Sequence, residues 1–386
     1  MSAHRQPVLG ILGGGQLARM LALAAAPLGV RTRVVDSAAD ACAGQVAALT
    51  VADWTDKDAL ARFAEAVDVV TFDFENVPAE TAQWLADRVA VFPNPQALAV
   101  AQDRLAEKTL FRDCGLATPA YAAVDTRRGL DFALEVIGTP AILKTRRLGY
   151  DGKGQFRLRT AADADAAWAV LGAAAVQHGL ILEAFVPFDG ELSVLAVRGR
   201  DGDLRTWPLT RNWHHQGVLS LSLAPARADD ALKAQAGALA RTLAERLDYV
   251  GVFALELFLK DGQLLGNEMA PRVHNSGHWT IEGALTSQFE NHVRSVLGLP
   301  LGDTAARGPA LMFNWIGALP DPAPVLRTSD AHWHDYGKAP REGRKVGHAT
   351  VCAADAVTLA ARVDALAGAL GRQAQAAPAL AELARW

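Results

Sequence analysis

Apolar and polar residues alternate in a regular way over the first hundred positions. Four segments have the length and apolar content of buried strands: Val8–Leu12, Arg33–Val35, Asp68–Phe72 and Val89–Phe92. Between the first two, Gln16–Ala26 has the spacing of a helix. Strands that alternate with helices are typical of a parallel sheet covered by helices on both faces. We predict such an α/β domain over residues 1–105.

The pattern changes after residue 105. Strands are expected at Ala141–Thr145, Gln155–Arg159, Leu180–Val186, Leu192–Arg198 and Leu204–Leu209, and helices at Gln102–Cys114, Ala161–Leu171 and Asp229–Leu247. This mixture predicts an α+β domain over residues 106–300. Glycine and proline become frequent after Pro300, and a small third domain is predicted over 301–386, with a helix at Ala356–Leu370. The tail after Gly371 is expected to be a peripheral or frayed helix.

Residues 251–270 contain two apolar runs joined at Asp261-Gly262, which predicts a β-hairpin. Each run carries a carboxylate, Glu256 or Glu268, at a position where a strand should carry an apolar residue. Burial of a carboxylate is costly unless a cation or a charged partner compensates. Ion pairs with Arg or Lys would serve, but two such acids followed by a polar segment favour Mg²⁺ that also binds nucleotide phosphates.

The hairpin makes a further prediction about its register. A plain two-residue turn would pair Glu256 with Asn267 and place Glu268 on the opposite face. Shared metal binding by the two acids therefore requires a β-bulge or a shifted register near the turn.

Composition and charge narrow the classes of function. The 386 residues are 51% hydrophobic and 21% charged, as in ordinary globular proteins, and the net charge of −4 argues against a general nucleic-acid or membrane binder. Three cysteines lie far apart without metal-binding spacing, and there is no apolar run of about 18 residues. We expect a cytoplasmic protein.

Two glycine-rich segments indicate phosphate chemistry. Gly13, Gly15 and Ala18 follow a strand, and Asp36 lies about 20 residues on, which alone fits a dinucleotide site or any close backbone approach. The loop 146–155 carries several glycines and basic residues, and Lys144 precedes it. Because glycine lets backbone N–H groups surround an anion, we predict a phosphate-binding flap around residues 140–160 rather than a plain surface hairpin.

Two weaker signals complete the set of candidate sites. An apolar strand that carries Glu183, with Glu191 beyond it, suits a planar base with a ribose at its end, although a solvated strand end is an equal alternative. Lys338, Arg341, Arg344 and Lys345 fall within eight residues, which fits either a phosphate site or a solvated basic loop. A phosphate flap and a metal, without a recognisable covalent nucleophile, favour phosphoryl transfer.

The order of these residues resembles the ATP-grasp superfamily, and nearly the whole chain resembles its 5-(carboxyamino)imidazole ribonucleotide synthase (PurK) family. The similar segments are GGGQLARM (13–20), RRLGYDGKGQ (146–155), LTRNWHHQG (209–217), NEMAPRVHNSGHWT (267–280), MFNWIG (312–317) and GRKVGH (343–348). The resemblance implies a Rossmann-like pre-ATP-grasp domain, a central ATP-grasp domain and a small C-terminal domain. It also implies that ATP, bicarbonate and 5-aminoimidazole ribonucleotide give the N-carboxylated nucleotide, ADP and phosphate through carboxyphosphate in purine biosynthesis.

The resemblance assigns residues to each part of this reaction. ATP would be bound by Arg104, Lys144, Gly149, Tyr150, Asp151, Gly152, Lys153, Gly154, Gln155, Glu183, Ala184, Phe185, Val186, Glu191, His214, Asn267 and Glu268. Mg²⁺, with Mn²⁺ as its alternative, would be bound by Glu256 and Glu268. The imidazole nucleotide would contact Gln16, Leu17, Glu75, Asn76, Asn275, Lys338, Arg344 and Lys345. Tyr150, Asp151, Arg272 and His274 would surround the reacting groups, and a homodimer is implied.

One departure concerns Glu342, where the family often has proline, so a phosphate-binding role for Arg341 is in doubt. Two other functions compete with this one. A formate-dependent glycinamide ribonucleotide transformylase would share the paired acids but not the HNSGHWT segment, and an NAD(P)-dependent oxidoreductase would use only the first glycine turn.

Overall fold

A computed structural model describes residues 5–149 and 153–386. Its N-terminal region contains strands β1 Val8–Leu12, β2 Arg31–Asp36, β3 Ala48–Val51, β4 Val69–Phe72 and β5 Ala90–Val91, and helices α1 Gln16–Ala25, α2 Lys57–Glu65 and α3 Ala79–Ala86. The five strands are parallel in the order β3-β2-β1-β4-β5, which confirms the predicted sheet. The sequence analysis missed β3, which is short and has no buried residue.

A second, smaller sheet follows the helices α4 Pro95–Ala101 and α5 Arg104–Asp113. Its elements are β6 Tyr121–Val124, α6 Arg127–Ile137, β7 Ala141–Thr145, β8 Gln155–Leu158, α7 Ala164–His178 and β9 Leu180–Ala184. The strands are antiparallel in the order β6-β9-β7-β8. The glycine-rich loop joins β7 to β8, so it lies at one end of this small sheet.

The remaining strands form one large antiparallel sheet. Its elements and their covering helices are β10 Gly190–Arg198, β11 Leu204–Thr206, β12 Thr210–His215, β13 Val218–Ala224, α8 Asp230–Arg246, β14 Gly251–Lys260, β15 Gln263–Ala270, α9 Thr280–Gly283, α10 Gln288–Leu297, β16 Ala310–Ile316, α11 Ala323–Arg327, β17 Ala331–Asp335, β18 Lys345–Cys352, α12 Ala356–Leu370 and α13 Gln373–Leu383. The strand order is β15-β14-β10-β12-β13-β16-β18-β17, with β11 beside β10. Because β13 pairs with β16, the sheet continues across residue 300 into the C-terminal region.

The large sheet buries different residues on its two faces, because side chains alternate along a strand. Leu192 and Val194 pack with Leu243 of α8 in one apolar core, where each buried Leu contributes roughly 1.5–3 kcal/mol. Glu191 and Ser193, which alternate with these two residues along β10, face the other side. Ser193 pairs with Glu256, so that face presents polar groups toward the site described next. No helix in the described ranges 5–149 and 153–386 is both long and apolar enough to span a bilayer.

Candidate active site

The hairpin β14–β15 contains the bulge that shared use of its two acids requires. Its turn has positive φ angles at Asp261 (49°) and Gly262 (74°), and Lys260 pairs with Gln263. From there a plain register would place Asn267 opposite Glu256. Instead Leu257 pairs with Gly266 and Glu256 pairs with Glu268, so Asn267 is the extra residue. The predicted bulge is confirmed, and it brings both acids to one face.

Helix α5 holds the bulge in place through a buried lysine. The Lys108 side chain has no exposed surface, and its Nζ donates to the carbonyl oxygens of Gly266 (3.1 Å) and Asn267 (2.6 Å). Glu107, one residue earlier, accepts from the backbone N–H of Met269 at 2.6 Å. Burial and the nearby Glu268 raise the pKa of Glu107 to about 8. The sequence analysis overlooked both residues, although their spacing from Arg104 places all three on one face of α5.

Among the described residues, each of the two hairpin acids contacts a basic side chain. Glu268 accepts from Arg104 at 2.9 Å. Burial raises the pKa of the Glu268 carboxyl, but the Arg104 guanidinium outweighs burial and lowers that pKa to about 2. Glu256 lies 3.0 Å from Nε2 of His274. Within the described part of the chain, no group of three or more His, Cys, Asp or Glu side chains is arranged as a metal site. Two carboxylates on one face fit Mg²⁺ that takes its other oxygens from phosphate.

The small sheet brings a buried carboxylate and two lysines together. Glu183 of β9 accepts from Lys144 of β7 at 2.9 Å and lies 3.6 Å from Lys108. Burial would raise the pKa of Glu183, but the two lysines lower it to about 2. Its second oxygen, Oε1, is buried without a hydrogen-bond partner among the described residues. An unpaired buried acceptor of this kind is suited to a donor on a bound molecule.

The backbone beyond Glu183 turns from the small sheet toward the large one. The N–H of Ala184 donates to Ala120, and that of Phe185 donates to Pro140, while Val186 continues the link to β10. Arg157 lies over the Phe185 ring at 4.1 Å. This link is the segment to which the sequence analysis assigned the adenine base.

Glu191 and His214 form a pair on the same face of the large sheet. Oε2 of Glu191 lies 2.9 Å from Nδ1 of His214. Burial lowers the pKa of the imidazole, but the Glu191 hydrogen bond and the charge of Glu256 raise it overall. Glu191 is the residue predicted to contact the ribose, and His214 fixes the position of its carboxylate.

The glycine-rich loop is anchored at its start. The carboxylate of Asp103 accepts from Arg146 at 2.6 Å and lies 3.5 Å from Arg147, and Arg104 donates to the carbonyl of Gly149 at 3.5 Å. At the other end of the loop, the carbonyl of Gly154 accepts from the N–H of Thr145 at 2.8 Å. Gln155, the first residue of β8, pairs with Lys144, and Lys153 precedes Gly154. The predicted contacts Tyr150, Asp151 and Gly152 lie outside the described residues.

The first glycine turn is filled by carboxylates of the chain itself. Asp36 accepts from the N–H of Gly14 at 2.6 Å. Asp73 accepts from the N–H groups of Gly15 (2.7 Å) and Ala18 (2.9 Å) at the start of α1. These are N–H groups that a dinucleotide phosphate would need. The geometry therefore argues against the oxidoreductase alternative.

The predicted imidazole-nucleotide contacts gather where the N-terminal region meets the C-terminal strands. Gln16 accepts from Lys338 at 2.7 Å, and Arg272 lies 2.6 Å from Glu75 on the turn after β4. Burial lowers the pKa of Lys338, as do the positive charges of Arg344 and Lys345. Leu17 is buried behind Gln16, Asn76 is half-buried, and Arg341 is exposed.

Asn275 adds an unsatisfied amide at this end of the site. The residue is 8% exposed, and its Oδ1 and Nδ2 both lack hydrogen-bond partners in the described structure. A buried amide without hydrogen-bond partners costs free energy. A ligand that pairs with both side-chain atoms of Asn275 would remove that cost and bind more tightly.

Family models match most of the chain in three blocks. A ribonucleotide synthetase preATP-grasp domain matches residues 7–102, an ATP-grasp domain matches 109–289, and a phosphoribosylaminoimidazole carboxylase C-terminal domain matches 310–362. These blocks agree with the predicted three-domain architecture.

Curated proteins and solved structures point to the same family. N5-carboxyaminoimidazole ribonucleotide synthase from Pseudomonas aeruginosa is 53% identical over 92% of this chain and 97% of its own, and the Bacillus subtilis protein of that name is 41% identical over 89% and 90%. The crystal structure of the Thermus thermophilus synthetase matches with a TM-score of 0.89 and 53% identity, and the match covers 93% of this chain and 98% of the Thermus chain.

A more distant structure carries ligands. The Aspergillus clavatus synthase in complex with ADP and 5-aminoimidazole ribonucleotide has a TM-score of 0.86, 32% identity, and coverage of 95% of this chain and 99% of its own. The identity and coverage of these relatives make the chain an ATP-grasp ligase that forms a C–N bond. The chain belongs to the N5-carboxyaminoimidazole ribonucleotide synthase family.

Proposed function

We propose that this protein carboxylates 5-aminoimidazole ribonucleotide with ATP and bicarbonate, and releases ADP and phosphate, in purine biosynthesis. The observation that carries the proposal is the bulge at Asn267. It places Glu256 and Glu268 on one face, between the lysine-bearing small sheet and the cluster around Arg272. A nucleotide bound along the small sheet would thereby present its phosphates to the second substrate. Complexes of relatives with ADP and this ribonucleotide support the same pair of substrates.

At the nucleotide end, Lys144 and Arg104 would pair with phosphate oxygens in place of the carboxylates that they contact without ligand. The backbone at Ala184–Val186 would bind the base, and Glu191 the ribose hydroxyls. Glu256 and Glu268 would hold Mg²⁺, which neutralises phosphate charge when bound. His214 would keep Glu191 in position.

At the other end, Arg272 would orient bicarbonate so that one of its oxygens attacks the γ-phosphorus of ATP. The bond from that phosphorus to ADP breaks, and carboxyphosphate forms. Carboxyphosphate then divides into CO₂ and phosphate, and the amine of the imidazole attacks CO₂ while it loses a proton. Asp151 is the proposed acceptor of that proton, and Tyr150, which precedes it in the chain, is proposed to contact the reacting groups. The glycine-rich loop would exclude water from the short-lived intermediate.

The ribonucleotide phosphate would lie against Lys338, Arg344 and Lys345, close to the side chain of Gln16, with Leu17 behind it. Burial and the two neighbouring positive charges of Arg344 and Lys345 lower the pKa of Lys338, and the three basic side chains together make this position favourable for an anion. Asn275 would pair with the polar edge of the imidazole or its ribose. Glu75, released from Arg272, would accept from the same molecule.

The test is a coupled assay of ADP release with purified protein. ADP release should require ATP, bicarbonate and 5-aminoimidazole ribonucleotide together, and ¹³C-bicarbonate should label the product. ADP release that ignores the imidazole nucleotide would contradict the proposal, and turnover with formate and glycinamide ribonucleotide would favour the transformylase. Four expectations of the sequence analysis stay predictions: the domain limits 1–105, 106–300 and 301–386, the homodimer, the cytoplasmic location and the use of Mn²⁺.

A further inference from the structure

A chain of hydrogen bonds between small polar side chains crosses the large sheet and ends at His274. Ser222 Oγ donates to Asn212 Oδ1 at 2.8 Å, and Asn212 Nδ2 donates to Ser193 Oγ at 3.0 Å. Ser193 Oγ donates to Ser276 Oγ at 2.8 Å, which lies 2.9 Å from His274 Nδ1. All three serines are fully buried and Asn212 is 3% exposed. The four groups are therefore shielded from water and depend on one another for partners.

The direction of this chain is set at its His274 end. The backbone N–H of Ser276 points to Nδ1 of His274 at 3.3 Å. A backbone amide can only donate, so this long contact favours Nδ1 as an acceptor, but it is weaker than the 2.9 Å contact with the Ser276 hydroxyl, whose direction the side-chain hydrogen bonds set. The Ser276 hydroxyl oxygen accepts a hydrogen bond from Ser193, so the Ser276 O–H is left to donate to Nδ1 of His274. With Nδ1 as the acceptor, Nε2 of His274 is the nitrogen that donates, and it lies 3.0 Å from Oε1 of Glu256.

We propose that Asn212, Ser193 and Ser276 are positioning residues that fix the tautomer of His274 and direct its Nε2–H at Glu256. One oxygen of Glu256 is thereby engaged, and the other stays available on the face shared with Glu268. His274 thereby serves as a hydrogen-bond donor to Glu256 rather than as a base toward the substrate. The tautomer is a property of the ligand-free protein; only its consequence for turnover rests on the proposed function.

A chain of buried polar groups is also compatible with a merely structural role, so the test must measure the tautomer itself. Protein labelled with ¹⁵N in the histidine rings gives long-range ¹H–¹⁵N spectra that distinguish a protonated Nε2 from a protonated Nδ1. His274→Gln identifies the resonances of His274. The wild-type protein should show His274 as a single species with the proton on Nε2.

Two variants change the chain in different ways. Asn212→Asp replaces the donating amide by a carboxylate that only accepts, so Ser193 should turn its proton away from Ser276 and the Nδ1-protonated tautomer should appear. Ser193→Ala removes the middle link without adding charge, and should raise the fraction of that tautomer about two- to ten-fold, the effect of one lost hydrogen bond. Ser220→Ala is the matched control, since it removes a buried hydroxyl from the same strand that pairs with Gln375 outside this hydrogen-bond chain, and it should leave the tautomer unchanged.

Turnover gives an independent second measurement. Ser193→Ala should lower kcat about ten-fold or less with little change in KM for the imidazole nucleotide, whereas Ser220→Ala should stay within about two-fold of wild type. If both Asn212→Asp and Ser193→Ala keep the wild-type tautomer, the proposal is overturned even though the enzyme is active. If Asn212→Asp does not fold, Ser193→Ala alone decides. Absence of imidazole-dependent ADP release in the wild type would instead refute the proposed function and leave the tautomer result intact.

Discussion

Replacement of Lys108 by methionine tests whether this buried lysine holds the bulge at Asn267 in place. Methionine has a similar length and is apolar, so Lys108→Met removes the ammonium without opening a large cavity. The change leaves the carbonyl oxygens of Gly266 and Asn267 without their Nζ donor, and it leaves Glu183 with Lys144 as its nearest cation.

The size of the effect follows from these contacts. Each buried carbonyl left without a donor costs about 1–3 kcal/mol, and removal of one partner of a buried ion pair costs about 3–5 kcal/mol. The desolvation penalty of the buried lysine disappears at the same time and offsets part of this sum. We therefore expect the free energy of unfolding to fall by about 3–5 kcal/mol. ADP should also bind more weakly, because Asn267 is no longer held at the bulge.

Urea denaturation followed by tryptophan fluorescence measures the first effect, and calorimetric titration with ADP measures the second. Lys233→Met is the control, because Lys233 is half-exposed on α8 and pairs with the exposed Asp230, and it should change stability by no more than about 0.5 kcal/mol. A loss below about 1 kcal/mol in Lys108→Met, with unchanged ADP affinity, would refute the idea that this lysine holds the bulge.

Three further changes test other parts of the site. Glu256→Gln should abolish ATP turnover and leave the thermal transition in place, and wild-type turnover would exclude its proposed role toward Mg²⁺. Lys144→Ala should raise KM for ATP by about ten-fold or more, through loss of a charge-assisted contact with phosphate, and an unchanged KM in steady-state kinetics would contradict that contact. The lowered pKa of Glu183 stabilises the fold by up to about 3 kcal/mol above pH 4.5, and this contribution should be lost as the pH falls toward 2. Denaturation midpoints of wild type and Glu183→Gln across that range should converge; parallel curves would show that Glu183 does not carry the acid sensitivity.

The bulge illustrates what the sequence is able to predict. With a two-residue turn at Asp261-Gly262, plain register puts Glu256 and Glu268 on opposite faces, so a shared face required an extra residue near the turn. Asn267 is that residue. Alternation of side chains along a strand is a local property, so it is accessible without coordinates.

Helix α5 shows where the same reasoning fails. Arg104, Glu107 and Lys108 have the spacing of charged residues on one helix face, and such a face is normally solvated. In the structure this face is turned toward β15, and Lys108 is buried there. Nothing in the local pattern distinguishes the two cases, since the contact joins residues about 160 positions apart.

The polar chain that ends at His274 was missed for a related reason. Ser193 and Ser222 are single small polar residues in apolar strands, a common and uninformative occurrence. Only the pairing of β10 with β12, and of β12 with β13, brings their hydroxyls to Asn212. The signal in the sequence was that Ser193 stands two positions from Glu191, hence on the same face.

The continuity of the large sheet across residue 300 has a consequence for how the protein can be divided. Strand β13 is buried along its whole length and takes β16 of the C-terminal region as one of its neighbours. A polypeptide ended at residue 300 would leave β13 as a bare apolar edge, ready to recruit a strand from another molecule and to aggregate. The last third of the sheet is therefore not a detachable module. In a chimaera of two relatives, the junctions should therefore be chosen so that β13 and β16 both come from the same parent protein.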